Sequence, residues 1–177
     1  MTNVMAPPNR RDPIDWRAIV AAGLICGTLD INAAFVSAWF VSDVGPVLLL
    51  KYVAGGLLGS PARDGGWGFA VFGLGLHFCV AFSVTFVFYA LSRRLGFLRR
   101  QAAVSGLVYG AIVYLVMNLA VLPLAAQFRS LYLPDTKPFV PHLIWPQFCI
   151  HLTCVGLAIS LSLRRFARGA ESVRPAD

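Results

Sequence analysis

Apolar residues in this chain run in long blocks with few interruptions: Ala18 to Val41, Trp67 to Leu91, Ala102 to Ala125 and His142 to Leu163. Each block holds about 22 to 25 residues, roughly 33 to 37 Å as a helix, which clears a hydrocarbon core of about 30 Å. The pattern predicts an all-α fold, a bundle of four transmembrane helices. A fifth apolar stretch, Val47 to Leu58, is broken by Lys51 and Tyr52 and is too short to add a crossing. Pro46 is suited to open a helix there, and Ser60-Pro61-Ala62-Arg63-Asp64-Gly65-Gly66 reads as turn chemistry. This stretch is expected to be an amphipathic or re-entrant segment between helices 1 and 2, with Lys51 snorkelling to water. Residues 1–15, with Pro7, Pro8 and Pro13, read as a disordered cytoplasmic tail, residues 16–168 as one transmembrane domain, and residues 169–177 as a second tail. The connection from Gln127 to Pro141 is proline-rich and reads as a loop. Pro146, one turn into the fourth block, is expected to kink it and free the carbonyl of His142.

Charge adds direction. Apolar residues make up 58% of the chain and charged residues 13%, and the charges fall almost wholly outside the blocks. Arg10, Arg11 and Arg17 lead the first block, Arg93, Arg94, Arg99 and Arg100 join the second to the third, and Arg164, Arg165, Arg168 and Arg174 follow the fourth. The other two connections hold only Lys51, Arg63, Arg129 and Lys137, so the cation bias places both termini in the cytoplasm. The net charge of +7 is spread over juxtamembrane collars without an aromatic platform, which argues against a nucleic-acid partner and for the lipid bilayer. Cys26, Cys79, Cys149 and Cys154 all lie inside blocks, where disulfides are not expected. The first block is too long, and carries Asp30, to be a cleaved signal peptide.

Within the blocks, helical spacing groups small and polar residues on one face each: Gly23, Gly27, Asp30 and Ala34; Ala70, Gly73, His77 and Ala81; Gly106, Gly110, Tyr114 and Asn118; Gln147, His151, Cys154 and Ala158. Asp30, His77, Tyr114 and His151 fall roughly 13 to 17 Å below the outer ends of their spans, near the bilayer midplane. Asn118 and Gln147 form a second tier roughly 8 to 11 Å down. A weak repeat accompanies this layer. Gly23-Leu24-Ile25-Cys26-Gly27 matches Gly106-Leu107-Val108-Tyr109-Gly110, and Leu76-His77-Phe78 resembles Ile150-His151-Leu152. Duplication of a two-helix hairpin would make His77 and His151 mates across the bundle axis.

Three readings of the layer stay open. It is structural glue, with Asp30 paired to a histidine to fix helix register; or a proton or ion pathway, as in a small proton-linked or ion permease; or a ligand set, with His77 and His151 holding haem or a transition metal and Cys26 and Cys154 nearby. No cofactor is required by any tight ligand spacing. At the outer face Asp43, Arg63, Asp64, Asp135 and His142 show no nucleophile and base pairing, so the protein is read as non-enzymatic.

At Gly27-Thr28-Leu29-Asp30, Asp64-Gly65-Gly66-Trp67, Leu76-His77-Phe78 and Tyr114-Leu115-Val116-Met117-Asn118 the chain resembles a family of small four-helix inner-membrane proteins of Gram-negative bacteria, over roughly Ala18 to Arg165. That family has no assigned activity, so the resemblance implies fold and a bacterial inner-membrane location and says nothing of chemistry. The Gly-rich faces are also expected to support a homo-oligomer or contact with another membrane protein.

Overall fold

A computed structural model describes residues 13–133, 140–141 and 144–172, with side chains as far as residue 167. Every regular element among them is a helix: α1 (Trp16–Ser42), α2 (Pro46–Leu58), α3 (Ser60–Asp64), α4 (Trp67–Arg94), α5 (Phe97–Arg100), α6 (Ala102–Ser130) and α7 (Trp145–Ala167, running on to Ser172). The four long helices have 27, 28, 29 and 23 residues, and all are apolar enough to cross a membrane. Their rise of roughly 34 to 44 Å carries the ends beyond the hydrocarbon core. Val71 in α4 is 67% exposed and Val108 in α6 is 55% exposed, both well inside their helices. Such a surface suits lipid and not water. The protein is a multi-pass membrane protein with an all-α four-helix fold.

Local chemistry sets the helix ends. Asp15 accepts the Ala18 N–H at 3.1 Å and so caps α1. At the other end Asp43 adopts a left-handed conformation (φ 51°), and the N–H groups of Asp43 and Val44 return to the carbonyls of Trp39 and Ala38. Pro46 sits in the first turn of α2, where its missing N–H costs nothing. Pro146 does the same for α7, whose helix starts at Trp145 rather than His142. The expected kink at Pro146 is therefore corrected: in a first turn proline takes no bond from the helix. His142 itself lies outside the described residues, as do Asp135 and most of both tails.

The apolar core fills the half of the bundle where α1 starts and α7 finishes. Ile19, Ala22 and Cys26 of α1, Ala81 and Phe88 of α4, Tyr109 and Val113 of α6, and Val155, Ile159 and Leu163 of α7 form one buried cluster. In the far half α2 fills the space instead, lying along α4 and reaching the end of α6. Arg129 of α6 donates to the Gly55 and Gly56 carbonyls at 2.8 and 3.0 Å, and the Tyr132 hydroxyl donates to Leu57 O. These bonds serve carbonyls at the C-terminal end of α2, where Gly55 O also accepts the Gly59 N–H at 2.9 Å. The segment is thus docked on protein along one side, and Lys51 is half-buried.

Glycines bring the backbones together. A methyl group on Gly73 would strike the Leu50 carbonyl of α2, one on Gly110 would strike the His151 carbonyl, and one on Gly156 would strike the Gly106 carbonyl. The two hairpins meet in one register. Gly27 faces Phe78 and Gly110 faces Leu152, each the residue after a histidine, while Gly23 faces Phe82 and Gly106 faces Gly156, each five residues after it. This correspondence supports duplication of the hairpin.

Two long helices contain wide, π-helical turns, Met117–Val121 in α6 and His151–Leu157 in α7. The first precedes Pro123, which cannot donate to the Leu119 carbonyl and whose ring crowds it. In the second, the Thr153 hydroxyl donates to the Cys149 carbonyl at 2.8 Å and competes with the main chain for it. Each extra residue in a turn rotates the remainder of the helix by about 100°. Hence the buried face of α7 runs through Val155, Gly156, Ile159 and Ser160, whereas Cys154 and Ala158, expected on that face, are only half-buried.

Gly156→Ala is expected to destabilise the fold by about 1 to 3 kcal/mol, because both colliding groups are backbone. Gly75→Ala, at an open position, should stay near neutral. Thermal unfolding of both variants in detergent tests the pair, and equal midpoints would contradict the contact.

Candidate functional site

The polar residues lie along the edge of the apolar core that faces the far half, one turn from Cys26, Ala81, Val113 and Val155. Their placement follows from the glycine contacts. Gly27 admits α4 closely enough for the His77 ring to reach its backbone, and His77 Nε2 lies 2.9 Å from Gly27 O. A carbonyl only accepts, so Nε2 carries the hydrogen. Nδ1 then faces Asp30, with Oδ2 at 3.9 Å, and the two side chains are 12% and 18% exposed. That separation is within ion-pair reach and beyond a direct hydrogen bond.

His151 is oriented in the same manner. Its Nδ1 donates to the Gln147 carbonyl one turn earlier at 2.8 Å, which leaves Nε2 to accept or bind a proton. Asp30 lies within electrostatic reach of both His151 and His77. Tyr114 stands edge-on to the His151 ring with centroids 5.3 Å apart. The four residues expected in one layer are therefore brought together as two contacting pairs, His77 with Asp30 and His151 with Tyr114.

Among these four Tyr114 has a fixed structural task. It is 3% exposed, its hydroxyl accepts the Ile144 N–H at 2.6 Å and donates to Ile144 O at 3.2 Å, and it so ties α6 to the start of α7. The expected second tier is more local. Asn118 donates to the Tyr114 carbonyl of its own helix at 3.0 Å, and Gln147 serves the site through its backbone, its side-chain oxygen being buried without a hydrogen-bond partner among the described residues. A cleft of about 290 Å³ lined by Tyr114, Leu115, Ile144, Trp145 and Phe148 opens beside it.

For the metal reading, His77 lies against Asp30, yet among the described residues no three His, Cys, Asp or Glu side chains gather as a ligand set. Of the outer-face residues, Asp43 caps α1 and Asp64 closes α3, while Asp135 and His142 are outside the described residues. Sequence reasoning missed the backbone acceptors Gly27 O and Gln147 O. Histidine four residues after glutamine was a usable signal for the second, and only the tertiary contact reveals the first. No known protein family, no curated protein and no solved structure matches this chain. Fold and site define a multi-pass membrane protein with a half-buried carboxylate against one oriented imidazole and within electrostatic reach of a second.

Tyr114→Phe is expected to lower stability by about 1 to 2 kcal/mol and to speed amide exchange at Ile144, since both bonds to that residue vanish. Unchanged exchange at Ile144 would remove Tyr114 from this role.

Proposed function

We propose that the chain is a non-enzymatic inner-membrane protein whose Asp30, His77 and His151 bind and pass a proton, as the working part of a small proton-linked permease. The observation that carries this reading is the 3.9 Å gap between His77 Nδ1 and Asp30 Oδ2, with Nε2 already committed to Gly27 O. A carboxylate and a neutral imidazole lone pair repel when they face each other, so one proton belongs to the pair. A contact serving only to fix helix register would gain more from a direct hydrogen bond than from this spacing. Both imidazoles also have one ring nitrogen held by a backbone carbonyl, a common way to fix ring orientation at functional sites.

The similar glycine contacts of the two hairpins support transport, because parallel repeats with an ionisable group between them are a frequent plan of membrane carriers. Ionisable residues inside a membrane are costly and favour functional readings. The distribution of arginines supports cytoplasmic termini, and the resemblance to small four-helix inner-membrane proteins supports a bacterial inner membrane. Four helices enclose a narrow path, so the permease would work as a homo-oligomer.

The test is acidification of liposomes containing the purified protein, read by an enclosed pH-sensitive dye under an imposed potential. Asp30→Asn keeps shape and hydrogen bonding but cannot ionise, and it should cut proton flux about tenfold or more with folded yield preserved. Flux equal to wild type in Asp30→Asn would end the reading.

A further inference from the structure

The net charge of this protein is concentrated at one end. Among the residues whose side chains are described, Arg17, Arg93, Arg94, Arg99, Arg100, Arg164 and Arg165 lie at the end where α1 starts and α7 finishes, and Asp15 is the one acid beside them. Asp15 is moreover engaged at the start of α1, where it accepts the Ala18 N–H. This end therefore carries an excess of positive charge that attracts anions.

The arginines are arranged in three adjacent pairs, and each pair has one member turned inward. Arg93, Arg99 and Arg164 are half-buried, whereas Arg94, Arg100 and Arg165 are exposed. Arg93 lies over the Tyr89 ring with its guanidinium carbon 5.9 Å from the centroid, and Arg99 Nε donates to Ser92 Oγ at 3.4 Å. Arg164 Nε is buried and has no hydrogen-bond partner among the described residues. The guanidinium as a whole is half-buried, so it presents positive charge at the surface with one N–H unsatisfied, which suits an anion. The short helix α5 brings the second and third pairs together by packing against both α4 and α7, and Leu98 seats it on the apolar core.

Apolar side chains stand among these cations. Phe97 in α5 is 55% exposed and Phe166 in α7 is 36% exposed, on either side of the Arg99 and Arg164 positions in sequence. A guanidinium cluster with exposed rings beside it at a membrane edge is complementary to an amphiphile that bears a phosphodiester, more than to a soluble phosphate or a nucleic acid. We propose that Arg164, with Arg99 and the rim residues Arg100 and Arg165, forms a headgroup site for an anionic phospholipid whose acyl chains lie on Phe97 and Phe166. The site is independent of the proton reading, since it shares no residue with Asp30 and its histidines.

Native mass spectrometry of the full chain in neutral detergent, with phosphatidylglycerol and phosphatidylcholine of identical acyl chains, tests this, together with thermal unfolding. Phosphatidylglycerol should be retained about tenfold more than phosphatidylcholine, the weight that one or two juxtamembrane cations carry, and should alone raise the unfolding midpoint. Arg164→Gln should abolish that preference and Arg94→Gln should keep it. If Arg164→Gln fails to fold, Arg164→Lys retains the charge without the guanidinium fork and should weaken it. Equal retention of the two lipids by the wild type, or full preference in every folded Arg164 variant, overturns the site. Stabilisation by inorganic phosphate to the same extent as by phosphatidylglycerol overturns its assignment to lipid.

Discussion

Direct contact between helix backbones, permitted where glycine replaces a side chain, is the constraint that organises this structure. Lipid offers no hydrophobic drive between helices, so close van der Waals approach has to hold them. Gly110 lies against the backbone of His151 and Gly156 against that of Gly106, which fixes both the depth and the register of α7 on α6. Gly27 plays the matching part in the first hairpin, where it lets His77 reach its carbonyl. Without the approach at Gly27 the His77 ring would not stand against Asp30.

The correspondence between the hairpins makes their differences informative. By the register of the repeat, Asp30 stands where the second hairpin has Val113, and Phe82 stands where it has Gly156. The first hairpin therefore carries the carboxylate and fills its glycine hollows with rings, whereas the second closes backbone on backbone. One acid then serves two histidines, one from each hairpin.

The two halves of the bundle divide the work. Near the chain ends, interlocking side chains build a continuous core, and the Tyr109 hydroxyl reaches the Val84 carbonyl at 2.6 Å across it. In the far half the core gives way to α2, held at its C-terminal carbonyls by Arg129 and Tyr132. The polar residues lie at the boundary between these two halves.

Much of this was legible in the sequence because lipid imposes simple rules. Block lengths gave the four spans to within a few residues, and the small-residue faces of α1, α4 and α6 pointed inward as their spacing required, bringing Asp30, His77 and Tyr114 with them. The fourth face was legible only as far as His151. Beyond it, the π-helical turn adds a residue and rotates the helix, so Gly156 and Ser160 replace Cys154 and Ala158, and helical periodicity cannot register an insertion that costs no sequence signal. Pro146 was likewise ambiguous, since proline breaks a helix interior and favours a helix start, and only the position of Trp145 decides between them. The sequence by itself determined which segments lie in the membrane and which residue types meet at mid-depth, because burial in lipid is a property of local composition. Tertiary structure decided which atoms those residues face, because a hydrogen bond such as His77 to Gly27 depends on how closely two backbones approach.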